Sequence, residues 1–113
     1  MSDYHLLGLD NLASVVTNIE VKLWGNEVCI SCLLDPLNTH QPFQLIFCDT
    51  REIHWNIHDI DELEESNVNL TGFMLGEGKH RKSAVITTTM FEIFISYESL
   101  WLKTNFETRE IKP

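Results

Sequence analysis

The feature that most constrains this chain is a period-two alternation of β-branched and aromatic residues that recurs along most of its length, the signature of half-buried β-strands. In "NIEVKLW", Ile19, Val21 and Leu23 share one face while Glu20 and Lys22 take the other; in "EVCISCLL", Val28, Ile30, Cys32 and Leu34 fall together. Gly25 and Asn26 lie between the two runs and predict a two-residue hairpin turn. Further along, "FQLIFCD" aligns Phe43, Leu45 and Phe47, and "EIHWNIH" aligns Ile53, Trp55 and Ile57. These two runs are either separate short strands or one strand bent at Asp49 to Arg51. "NVNLTGFMLG" starts an alternation at Val68 that changes face near Gly72, as a bulge would make it do. In "MFEIFISY" the inward set is Phe91, Ile93, Ile95 and Tyr97, and two or three strands fit the last third of the chain. Helical spacing is confined to "DNLASVV", behind an Asp10 cap, and to one turn in "DIDELEES".

Many short strands joined by turn clusters predict a mainly β fold, an antiparallel sandwich or barrel-like sheet of six to eight strands with at most one or two short helical turns. At 113 residues, with 43% apolar residues, the chain makes a single domain spanning 1–113 with one core. No stretch approaches the roughly 20 apolar residues of a membrane-spanning helix. The N-terminus lacks a basic leader and an apolar block, which predicts a cytoplasmic protein. Seventeen acids against eight bases give a net charge of −9, which repels phosphate backbones and anionic membranes and leaves a protein as the expected partner. Exposed sheet edges and apolar faces predict a homodimer.

The stretch "REIHWNIHDIDELEE" carries the densest candidate chemistry. Two histidines four apart would share a metal on a helix, but the residue after His54 is Trp55, so the glutamate of the H-E-x-x-H arrangement is missing. On a strand rising about 3.3 Å per residue, His54 and His58 stand roughly 13 Å apart and cannot hold one ion together. Glu52 and His54 share a face as i and i+2 neighbours and form the candidate acid/base pair; His54 and His58 remain candidate metal ligands only with residues from other strands, such as His40 or His80. Asp59, Asp61, Glu62, Glu64 and Glu65 do not follow the EF-hand pattern, since Leu63 and Glu64 stand where a ligand and the glycine belong. They are the candidate binding residues for a basic protein partner.

"CISC", from Cys29 to Cys32, lacks the helix N-terminus that activates redox pairs and the second pair that zinc needs. Residues three apart on a strand face opposite sides, so the expectation is structural thiols, with Cys32 and Cys48 in or near the core. "GEGKHRK" has neither the Walker spacing nor a following helix, but it gathers Lys79, Arg81 and Lys82, three of the eight bases. It could steer self-association toward the 59–65 acids of another copy. No nucleophile elbow or dinucleotide fingerprint occurs, and no cofactor is expected.

The succession of "IEVKLW…EVCISCLL", "FQLIFCDTREIHW" and "FEIFISYESLWLK", over residues 15 to 103, resembles that of small acidic bacterial β-rich domains of unassigned function, some of them similar to toxin-neutralising immunity proteins. The resemblance implies a non-catalytic partner-binding role. The expected function is therefore a non-enzymatic protein-interaction module, immunity-like or regulatory, acting through an acidic surface. The alternative is a small metal-assisted or acid/base enzyme using the His54/His58 polar face.

Overall fold

The computed structural model describes residues 4–8, 13–38, 40–57, 68–76 and 82–112. Among these residues nine strands form: β1 Ser14–Lys22, β2 Glu27–Leu34, β3 Gln41–Cys48, β4 Glu52–Ile57, β5 Val68–Leu75, β6 Lys82–Thr88, β7 Phe91–Tyr97, β8 Ser99–Thr104 and β9 Thr108–Ile111. They build one antiparallel sheet in the order β4-β7-β6-β5-β1-β2-β3-β8-β9. The strands outnumber the expected six to eight, and the sheet is open rather than closed as a barrel or divided as a sandwich, with β4 and β9 at its edges. The ninth strand, "TREI", is too short and polar to show an alternation.

The helical expectations change as well. The described helical turns are 3₁₀, at Tyr4–Leu7 and Leu23–Gly25. Val16, expected on a helix, lies in β1, and the "DIDELEES" turn lies outside the described residues. Asp49 to Arg51 separates two strands that are far apart in the sheet: β3 pairs with β2 and β8, whereas β4 forms the opposite edge beside β7.

The sheet curls. Its two halves join where β1 meets β5 through only two residue pairs, Val15 with Asn69 and Val16 with Val68. Each of these strands breaks register just past the join, β1 between Val16 and Asn18 and β5 between Leu70 and Gly72. A bulge bends its strand and increases the local twist, so paired bulges at a narrow join turn one half of the sheet over the other. The second break falls where the alternation in "NVNLTGFMLG" had changed face. The curl brings β3 against β7: the rings of Phe47 and Tyr97 meet edge to face with centroids 5.1 Å apart.

One core fills the concave side, drawing buried side chains from every strand but β4 and from Leu7 of the first 3₁₀ turn. The inward sets read from alternation occupy it: Val28, Ile30, Cys32 and Leu34; Phe43, Leu45 and Phe47; Phe91, Ile93, Ile95 and Tyr97 are all buried. At β4 the rule holds for parity but not for burial. Ile53, Trp55 and Ile57 pair with the inward Ile95, Ile93 and Phe91, yet Ile53 alone is partly buried against the core, and Trp55 and Ile57 stand 43% and 46% exposed. An edge strand has a neighbour on one side only, so its inward side chains are half covered.

Candidate interaction site

The β1–β2 hairpin ends in the most exposed apolar residues of this end of the sheet. Lys22 pairs with Glu27 and closes a four-residue loop, Leu23 to Asn26, in place of the expected two-residue turn. Leu23, Trp24 and Gly25 take φ of 53°, 60° and 98°, a left-handed run suited to glycine and unfavourable to the other two. Leu23, expected to face inward with Ile19 and Val21, instead projects from the tip at 66% exposure, and Trp24 is fully exposed at 106%. Val21 is exposed beneath them.

A brace from the β3–β4 connection holds this conformation. The Asn26 amide donates to the Leu23 carbonyl at 3.1 Å, and the Thr50 amide to the Asn26 carbonyl at 2.9 Å. The Asn26 side chain donates to Asp49 Oδ1 at 3.2 Å and to the Thr50 carbonyl at 3.3 Å. The buried Thr50 hydroxyl donates to the Gly25 carbonyl. The apolar pair is thus presented on a preorganised backbone. Acidic side chains surround its base: Glu20 and Glu27 act electrostatically on Cys29, Glu27 and Asp49 on Cys48, and Glu98 follows Tyr97 at the end of β7, its amide donating to the Cys48 carbonyl. Lys22 and Arg51 are the cations among them, Arg51 lying 3.9 Å from Asp49. An apolar knob with an acidic surround can bury itself in an apolar pocket rimmed by basic side chains. The sequence signal for it was available, an adjacent Leu-Trp pair against a Gly-Asn turn, but the alternation of β1 had claimed Leu23 for the core.

The predicted acid/base pair lies elsewhere. Glu52 and His54 are both exposed on the convex face of β4, opposite Ser96 and Phe94. The His54 ring lies 6.0 Å from that of Phe94 and continues a cross-strand row, Met74, Val85, Phe94, His54, over four adjacent strands. Beside it the Asn56 side chain donates to Glu92 at 3.2 Å. Among the described residues this is a convex, half-apolar surface. A hollow of about 450 Å³ is in the other half of the sheet, lined by Thr17, Ser31, Gln44 and Lys103 among others. His58, the acids Asp59, Asp61, Glu62, Glu64 and Glu65, and the loop bases Lys79 and Arg81 lie outside the described residues; Lys82 begins β6. Among the described residues no three His, Cys, Asp or Glu side chains gather as a metal site.

The three cysteines are free thiols, and Cys29 and Cys32 face opposite sides of β2 as their spacing predicted. Cys32 is in the core, where burial pushes its thiol up to about 12. Cys29 is buried on the convex side, and Cys48, expected near the core, is half-buried on that same side; burial raises both thiols. None has the electropositive setting of a reactive cysteine.

No protein-family model matches the sequence, and no curated protein does either. Among solved structures there is a similar one. It is the crystal structure of an uncharacterized protein from Neisseria gonorrhoeae, 14% identical, with a TM-score of 0.56 over 81% of this chain and 90% of that one. At that identity the likeness concerns the fold alone. No helix among the described residues is long and apolar enough to cross a membrane.

Proposed function

We propose that the protein is a non-enzymatic, cytoplasmic protein-interaction module, immunity-like or regulatory, that docks the Leu23–Trp24 tip into an apolar pocket with a basic rim. The observation that carries this reading is Trp24, fully exposed in a left-handed conformation on a braced hairpin. A chain gains nothing for its own stability from a solvated indole held at unfavourable φ, whereas tryptophan is the residue most often found at the energetic centre of protein interfaces. The net charge of −9 favours a basic protein over nucleic acid, and the acids from Asp59 to Glu65 add to that charge.

The test is differential capture from lysate by wild type, Trp24→Ser and Leu23→Ser, each with an unchanged urea midpoint. The expected result is a protein retained by wild type and released by both variants, with affinity lower by about 30-fold, the effect of a hot spot worth ~2 kcal/mol. Its retention should weaken as salt is raised. An identical set of captured proteins for all three chains would defeat the proposal.

A further inference from the structure

The two sheet edges are built differently. β9 has four residues, two of them charged, and Arg109 is tied to the Glu107 carboxylate at 3.2 Å and to the Leu7 carbonyl. Shortness and charge are the usual protection of an edge against pairing with another chain. β4 has six residues in unbroken register with β7, and its sequence EIHWNI contains no lysine, proline or bulge. Its only carboxylate is Glu52, and its core-side residues Trp55 and Ile57 are 43% and 46% exposed. By the same criteria, and among the described residues, this edge is unprotected.

We propose that β4 pairs antiparallel with β4 of a second copy, about a two-fold axis through Trp55. The core-side residues read the same in both directions about that position, Ile53, Trp55, Ile57. Antiparallel pairing centred there sets Trp55 beside its own copy and each Ile53 beside the other chain's Ile57, with all six on the concave side. On the convex side His54 meets Asn56. Because Glu52 lies three residues from the axis, the two copies of this carboxylate stand about 20 Å apart, beyond a Debye length, so within β4 the pairing places no like charges together. A contact six residues long falls short of the ~1,600 Å² of a standard interface, which makes the dimer a weak, concentration-dependent one. The joined sheet covers the half-exposed Trp55, which already rests against Phe91 with ring centroids 5.4 Å apart. The Leu23–Trp24 tip is on the β1–β2 hairpin, so this proposal does not depend on the function assigned to it.

Sedimentation velocity over a dilution series tests the proposal. Wild type should pass from dimer to monomer on dilution. Trp55→Lys and Ile57→Lys should each weaken association about tenfold or more, since a charge pointing inward from an edge strand blocks pairing. Trp24→Ser should leave it unchanged. To allow for a lysine variant that fails to fold, Trp55→Cys should form a disulfide dimer on mild oxidation, as directly opposed Cβ atoms lie about 4.5–5.5 Å apart, while Glu52→Cys should not. A monomer at every concentration overturns the proposal. So does a dimer that survives both lysine substitutions, or one in which Glu52→Cys cross-links and Trp55→Cys does not.

Discussion

Phe47 and Tyr97 test the curl of the sheet. Four strands, β6, β5, β1 and β2, stand between β7 and β3 in the sheet order, so a flat sheet would hold these residues about 24 Å apart, five spacings of ~4.8 Å. The curl instead brings their rings to 5.1 Å at an interplanar angle of 79°, both side chains fully buried. Phe47→Leu removes three buried carbons and should cost about 2 kcal/mol at ~0.8 kcal/mol per buried methylene. Tyr97→Leu should cost at least as much. An edge-to-face pair is worth ~0.5–1.5 kcal/mol beyond the area it buries, and the double variant, which loses that pair only once, should be less destabilised than the sum of the singles by that amount. A domain of this size has about 5–15 kcal/mol of stability, so all four proteins should remain folded enough for urea titration. Each single change should lower the midpoint by roughly 1 M. Single costs that add to within ~0.3 kcal/mol would mean that the rings do not touch, and the curled sheet would be wrong.

Burial of Cys32 predicts a particular alkaline weakness. A thiol whose folded pKa, about 12, exceeds its ordinary 9.0 contributes stability that is intact below pH 9 and is lost as pH rises toward 12. Urea midpoints measured from pH 8 to 11 should therefore fall more steeply for wild type than for Cys32→Ala; parallel slopes would contradict the burial. The β6–β7 turn rests on buried Thr88, whose hydroxyl donates to the Phe91 carbonyl at 2.9 Å and accepts from the Met90 and Phe91 amides at 3.2 and 3.0 Å. Thr88→Val keeps the shape, removes these bonds and should cost about 1–3 kcal/mol in chemical denaturation, with Thr88→Ser recovering part of it.

Strand faces were legible in the sequence where both neighbours of a strand are present. The alternation in β2, β3 and β7 named their buried residues because parity decides which side of a sheet a side chain takes. The order of strands depends on pairings between distant segments, and local alternation carries no trace of it. That is why Trp55 and Ile57 have the parity of core residues and the exposure of edge residues, and why Glu52 and His54 are exposed on the convex face of an edge strand. The tip was misread for a different reason. Alternation in "NIEVKLW" continues one step past the point where Lys22 closes the hairpin on Glu27, so Leu23 kept the phase of a strand it had already left.

The functional account rests on Trp24 being kept for a partner and not for the fold. Trp24→Gly tests that with one number, the free energy of unfolding. A non-glycine residue in the left-handed region costs about 1–2 kcal/mol, of which the greater chain entropy of glycine takes back ~0.5–1 kcal/mol. With its φ of 60° and a fully exposed side chain, Trp24 should give a glycine variant as stable as wild type or about 1 kcal/mol more so. A loss of 1 kcal/mol or more would show that the indole supports the structure, and the account of the tip as a docking element would be contradicted.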